Sequence, residues 1–509
     1  MPAPTSTCRD QRTLAVGDHP PDIAAVVRVS RDGALAELTA AARERIAAER
    51  AVVERSTEQG QAIYGLTTGL GASVDTALPP DDIVAFQTRA VLGRNVAVGP
   101  ALPRETVRAA MFVRIAKMAA GGSGVSPHVA DGLVALINAG VHPRVPAIGS
   151  IGAADLVLCA HLALPLIGLG EAEYRGELMA ASRALARAGL QPLQLGAKDG
   201  LALINCNAFS VGAGALAVAD AAAALDALNI ASALAIEAFR ANLSPLDARV
   251  QKSRPAPGQE RVAARMRALL RDSALLHPDG PRRVQDPLCF RCIAPVHGAV
   301  LWAIDQSVQA VEIELASGGD NPLVLSDGDV LSTGNFDVTA LTLEFERLCQ
   351  ALAHAAGLCV HRSLKLMSPR FSELPCFLSP LGPTRTGFAA TQKTMAALDA
   401  EIRHLALPAS LAVHAVADGV EDHASMALRV VEKAAQIIGR VRLLAAIELM
   451  VAAQALDLRP VPLGASMRSA YQAVRGVVAM LGEDRVTGPD IERIASLIED
   501  GTLMRAVAP

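Results

Sequence analysis

Apolar residues recur at intervals of three and four over most of the second half of the chain. Leu341, Phe345, Leu348 and Leu352 form one such stripe, the spacing that gathers side chains on one face of an α-helix. The pattern predicts long helices near Val296–Ala316, Leu341–Leu366, Arg385–Leu407, Ser425–Leu456 and Tyr471–Leu481. The longest runs from about Ala208 to Ala241 and stops at Asn242-Leu243-Ser244-Pro245, where proline cannot continue it. At about 1.5 Å per residue it spans roughly 50 Å. Its apolar stretch, Ser210–Phe239, carries Asp220, Asp226, Asn229 and Glu237, which marks a bundle helix and not a membrane span. Before residue 205 shorter helical patterns alternate with Gly-rich turns, as in Tyr64–Gly71 and Gly121–Gly124. The expectation is a mostly α fold with a long central helix bundle. Its parts are a disordered leader (1–20), an N-terminal domain (21–205) and a bundle domain (206–509).

Composition supports helix over sheet. Of 509 residues 51% are hydrophobic, yet only 10 Phe, 3 Tyr and 1 Trp are aromatic, and alanine supplies much of the rest. A chain of this length needs more than one core region. The net charge of −4 excludes a basic bias and argues against nucleic acid as the partner. The first residues, MPAPTSTCRDQRTLAVGDHPPD, have no apolar segment of the secretory kind. With 8 cysteines this reads as a reducing, cytoplasmic setting. Cys289 and Cys292 form a lone C-x-x-C without a second pair at zinc spacing, so core packing is expected and no metal site. His161 and His297 read as satisfied core histidines, and GGSG at Gly121–Gly124 lacks the ending of a phosphate loop.

Several segments carry chemistry together. Gly149–His161 reads GSIGAADLVLCAH, Tyr64–Gly71 reads YGLTTGLG, and Lys198–Asn205 reads KDGLALIN. Further on come VQDPLCFRC (Val284–Cys292), IELASGGDNPL (Ile313–Leu323), STGNF (Ser332–Phe336) and VEDHASM (Val420–Met426). In their order along the chain, over residues 20–505, they resemble the aromatic amino acid ammonia-lyase family, which includes histidine, phenylalanine and tyrosine ammonia-lyases and aminomutases. The resemblance implies a homotetramer whose active sites combine three subunits, and bundle helices longer than one subunit needs agree with self-association. It implies Tyr64 as catalytic base and Glu421 as a second catalytic group. It also implies Arg291 as holder of the substrate carboxylate, with Asn205, Asn335 and Phe336 lining the pocket.

The departures are as informative. The family's GSVGASGDLAPLAH contains an Ala-Ser-Gly triad that cyclises into methylidene-imidazolone. Here the segment is one residue shorter and reads Ala153, Ala154, Asp155. Ala154 has no hydroxyl to lose, so no such cofactor is expected. Leu288 stands where the family has a supporting tyrosine, and Arg94 where it has a histidine that reads the substrate ring. Cys206 and Asn207 replace a Gly-Thr pair.

From the residues alone, the expectation is therefore an enzyme without the prosthetic group. It would run an acid–base elimination or addition, isomerisation or cyclisation on an amino-acid-derived carboxylate, as part of amino acid or secondary metabolism. Two alternatives stand beside it. One is a non-catalytic ligand-binding or regulatory paralogue, alone or in a mixed tetramer with an active lyase; the other is a conventional aromatic amino acid ammonia-lyase. Retention of Tyr64 with Arg291 favours an enzyme, because a purely structural subunit needs neither.

Overall fold

Helix Ala208–Phe239 is 32 residues long and apolar on every side, and a helix of that kind has to be covered on every side. In the computed structural model, which describes residues 13–411 and 414–507, its most apolar window is 94% buried. Helices Ile293–Leu315, Thr339–Leu366, Thr391–Leu405, Ala427–Leu458 and Ala465–Val477 supply the other long elements. The fold is mostly helical, as its periodicity predicts.

Five helix starts differ from expectation: those expected at Val296 and Leu341 begin slightly earlier, at Ile293 and Thr339, and the other three are set locally. Residues 385–390 form turns because the Asp484 carboxylate takes the amides of Thr386 and Gly387 at 2.7 and 2.9 Å, and Gly387 has φ of 53°. The helix expected at Ser425 begins at Ala427, since Met426 stands in the left-handed region. The one expected at Tyr471–Leu481 starts earlier, after Gly464, and ends at Val477, where Val478 turns extended.

Among the described residues, four small sheets complete the fold. Thr13–Val16 pairs in parallel with Leu35–Leu38, so the expected leader already has regular structure from residue 13; residues 1–12 lie outside the described ones. Val98–Ala101 pairs with Pro146–Ile148. Val141–Pro143, Glu171–Tyr174 and Glu177–Ala180 form an antiparallel meander. Its tight turn places Arg175 and Gly176 at positive φ, the conformation a two-residue hairpin loop demands. Leu323–Val324 and Val330–Leu331 form the last pair.

The chain divides into two units, each built from three separate stretches, so a single cut at residue 205 does not describe them. The first is Met1–Ala219, Val308–Leu343 and Pro408–Glu432; the second is Asp220–Ser307, Glu344–Leu407 and Lys433–Pro509. In the first, Val52, Val53, Ile63, Leu66, Ile83 and Val324 form an apolar cluster, and the buried Arg114 pairs with Asp320 at 3.1 Å. In the second, Arg362 and Glu448, both fully buried, meet at 2.6 Å, and Phe239 stacks on Phe290.

Candidate active site

The turn at Tyr64 is held by its own backbone. The amides of Leu66, Thr67 and Thr68 all donate to the Ile63 carbonyl, and the Ile63 amide donates to the Thr67 hydroxyl at 2.8 Å. Gly65 has φ of +67°, and a Cβ there would stand 2.5 Å from the Leu201 side chain, so glycine is required. Tyr64 is half-buried, and the Gly71 amide donates to its phenolic oxygen at 3.1 Å. Gln87, fully buried, ties this turn to its surroundings. Its amide donates to the Gly65 carbonyl and its oxygen accepts from the Leu201 amide, each at 3.1 Å. Leu201 lies on the short helix Asp199–Ile204 that leads into Asn205.

Ala153, Ala154 and Asp155 form a turn before helix Leu156–Ala163. Ala153 pairs with Asp337, Ala154 is buried with φ of 56°, and Asp155 is fully buried. The Asp155 carboxylate accepts from the Ser150 hydroxyl (2.6 Å), the Ser210 amide (2.7 Å) and the Ser210 hydroxyl (2.9 Å). Burial pushes its pKa up, and these donors push back. Ser210 lies in the first turn of helix Ala208–Phe239, where backbone amides lack intrahelical partners, so Asp155 serves that helix as an N-terminal anion. The turn is pinned from the other side as well: the Ser425 hydroxyl donates to the Gly152 carbonyl at 3.1 Å and the Met426 amide to the Ile151 carbonyl at 2.8 Å.

These residues do not fit methylidene-imidazolone. Ala154 offers no hydroxyl to eliminate, and the Asp155 side chain is committed to three donors where the ring closure uses a glycine. No step below is routed through that group.

Asn205 is buried and donates to the Asn321 carbonyl at 2.7 Å, while the Asn321 side-chain oxygen accepts from the Thr333 amide at 2.9 Å. The neighbouring Asn207 amide donates to the Phe336 carbonyl, which brings the STGNF segment beside the Lys198–Asn205 segment. Asn335, expected as a buried amide, is exposed; Phe336 is half-buried. Glu421 is half-buried and pairs through its backbone with Val416. It is no helix cap, because the next helix begins at Ala427. A Cβ placed on Gly71 would stand 3.6 Å from the Ala417 methyl, so the loop carrying Glu421 lies against the Tyr64 loop. His423 reaches Asp337 at 3.4 Å.

Arg94 is half-buried just beyond helix Ile83–Leu92 and donates to the Ala90 carbonyl at 3.2 Å. After it, the Ala97 amide donates to His161 at 3.3 Å. His161, expected as a core histidine, is only half-buried; His297 is fully buried and bonds Asn229 through Nδ1 at 2.8 Å, while its Nε2 has no described partner. Cys289 and Cys292 are unbonded thiols, and among the described residues no cluster of three His, Cys, Asp or Glu could hold a metal.

The first unit thus gathers Tyr64, Arg94, Ala153–Asp155, Asn205, Phe336 and Glu421. Leu288 and Arg291 belong to the second unit. Leu288 is 62% exposed, and Arg291 donates to the Asp286 carbonyl at 2.9 Å. Sequence reading missed Gln87, Ser150, Ser210 and Ser425. The signal for Gln87 was a lone amide inside the apolar run IVAFQTRAVL.

Comparison with known proteins bears on what this arrangement does. The sequence profile described as "Aromatic amino acid lyase" matches residues 22–476. The chain is 40% identical to a histidine ammonia-lyase of Symbiobacterium thermophilum, over 95% of its own length and 96% of the relative's. Its fold is similar to that of an ergothioneine-degrading ergothionase from Treponema denticola, solved in complex with desmethyl-ergothioneine sulfonic acid (31% identity, TM-score 0.93, 97% and 99% of the two chains). It is also similar to a histidine ammonia-lyase from Trypanosoma cruzi (31%, TM-score 0.90, 97% and 95%). These full-length relatives correct the expectation of a cofactor-independent acid–base enzyme: they side with the conventional ammonia-lyase reading. With that profile matched over residues 22–476 and the fold shared end to end, the chain belongs to the aromatic amino acid lyase family.

Proposed function

We propose that this protein is a carbon–nitrogen lyase that removes ammonia from histidine or a close analogue. The single observation that carries the reading is 40% identity with a histidine ammonia-lyase over nearly the whole chain. In the elimination the β-carbon loses a proton, its electron pair forms the double bond, and the carbon–nitrogen bond breaks. Tyr64 is the base. The Gly71 amide fixes its oxygen while leaving a second lone pair to accept the proton from carbon, and general-base catalysis of this kind contributes about 10²–10⁴-fold. Arg291 holds the substrate carboxylate by the planar fork of its guanidinium. Glu421 stands at the amine, and Asn205 and Phe336 line the pocket. A homotetramer and a cytoplasmic setting belong to the same reading.

The test is turnover of histidine, followed by released ammonia and by the absorbance of a double bond conjugated with the ring. Tyr64→Phe is expected to lower kcat about 10²–10⁴-fold with KM changed much less. Full activity in that variant removes the base assignment. A second reading is favoured by the likeness to the ergothioneine-degrading ergothionase: the substrate is ergothioneine or a compound like it. Comparing turnover of histidine with that of ergothioneine separates the two.

A further inference from the structure

We infer that Gln87 is a positioning residue for the elimination: it fixes the turn that carries Tyr64 against the helix that leads to Asn205, and so holds the proposed base in register. This inference rests on the lyase reading of the same site.

Three elements meet at Gln87, too closely for a side chain at either of two glycines. A Cβ on Gly200 would stand 2.2 Å from the Gln87 carbonyl oxygen, and one on Gly65 2.5 Å from the Leu201 side chain. Helix Ile83–Leu92, helix Asp199–Ile204 and the Tyr64 turn are thereby pressed together. The Gln87 side chain fills the seam and is fully buried. Its amide has one acceptable orientation, because the nitrogen can only donate and the oxygen only accept. The nitrogen meets the Gly65 carbonyl, next to the proposed base, and the oxygen meets the Leu201 amide. Leu201 is the third residue of its helix, so its N–H has no intrahelical acceptor, and Gln87 supplies one.

The two partners of Gln87 are not held equally. The helix is fastened without it. In its first turn the buried Asp199 carboxylate accepts from the Ser126 amide and hydroxyl, both at 2.8 Å, and from the Gly196 amide at 2.7 Å. At its end Asn205 bonds the Asn321 carbonyl. The Tyr64 turn has no such anchor. The other described hydrogen bonds of residues 63–68 stay within residues 61–78. Among the described residues, the Gln87 amide is the one polar link from that turn to another part of the first unit. Gln87 therefore passes the fixed position of the helix to the turn. A base works only within hydrogen-bond reach of the proton it takes, and a misplacement of about 1 Å can cost about 10²-fold in rate.

The experiment places Gln87→Met, which keeps the length of the side chain and removes its amide, in the full-length wild type and in Tyr64→Phe. Kinetics are measured well below the melting temperature, with the substrate that the wild type turns over. In the wild type the replacement is expected to lower kcat about 10²-fold, with KM changed much less. In the Tyr64→Phe background it should cost little more, because the group that Gln87 positions is already gone. An equal factor in both backgrounds marks a general structural role and overturns the inference, and so does an undiminished kcat in Gln87→Met. Gln87→Asn, too short to reach both partners, takes its place if circular dichroism shows that Gln87→Met does not fold; failure of both to fold also overturns the inference. A wild type without turnover counts against the lyase reading itself. Fluorine NMR with 3-fluorotyrosine at the three tyrosines then decides on Gln87. The Tyr64 signal, assigned from Tyr64→Phe, is expected to shift in Gln87→Met while those of Tyr174 and Tyr471 stay. An unmoved Tyr64 signal overturns the assignment.

Discussion

Helix Ala208–Phe239 has a buried carboxylate at each end, and the two are treated in opposite ways. Asp155 meets the N-terminal turn, where amides lack intrahelical partners, and accepts from Ser150 and Ser210. Glu237 lies in the last turn, where the helix's own carbonyls face it and the macrodipole opposes a negative charge. It is fully buried, and burial raises its pKa to about 7, with the Ser273 hydroxyl a partial counterweight. Burial raises the pKa of both carboxyls; what differs is the counterweight, Ser150 and Ser210 donors at one end and the Ser273 hydroxyl alone at the other.

The largest effect that can break this comparison is expected from Asp155→Ala. It strands the buried Ser210 amide and hydroxyl and takes the acceptor from the half-buried Ser150 hydroxyl, and should lower stability by about 4 kcal/mol, read as a fall in the denaturation midpoint. An unchanged midpoint would show that the carboxylate is no anchor. Next comes Glu237→Gln. The folded-state pKa is raised, so the contribution of Glu237 to stability is fully present below about 4.5 and is lost as pH rises through about 7. The variant should be more stable than the parent by about 2–3 kcal/mol at pH 8, and the difference should vanish near pH 4. A gap independent of pH would place the effect elsewhere.

Asp155→Asn sharpens the contrast with a smaller change of about 1 kcal/mol. An amide oxygen can still accept from the Ser210 N–H, and the Ser150 and Ser210 hydroxyls can turn to accept from the amide nitrogen. If Asn costs as much as Ala, the charge itself is what matters at 155. The smallest expected effect is none: intact mass should equal that of the plain sequence apart from N-terminal processing, because residues 153–155 do not offer the prosthetic group its atoms. A deficit corresponding to lost water would reverse that.

The long helices were legible because apolar spacing is set within a few turns of chain. Their ends were less so: nothing near Arg385 announces that Asp484, far along the sequence, takes the amides of Thr386 and Gly387. The strands escaped because, among the described residues, none exceeds four residues, too short for alternation to stand out. At the site, the letters at Tyr64, Asn205 and Glu421 led to one unit of the fold, and the loss of a hydroxyl at Ala154 was plain. What sequence did not disclose was the set of partners that hold these groups. Gln87 meets Gly65 and Leu201, and Asp155 meets Ser210, across separations that only the folded chain closes. Function was misjudged for a related reason, since one altered segment outweighed a match over the full length.

The interleaving of the two units has a consequence for how the protein is made. A ribosome that has finished residue 219 has delivered only the first of three stretches of the first unit. The hairpin that carries Glu421 and the Ser425 clasp on Gly152 arrive in the last of them, after two stretches of the second unit have emerged. The site therefore cannot be finished in the order in which it is translated. Its proposed base is among the first groups to leave the tunnel and its proposed second catalytic group among the last. A nascent chain stalled short of residue 432 holds the Tyr64 turn without the loop that lies against it.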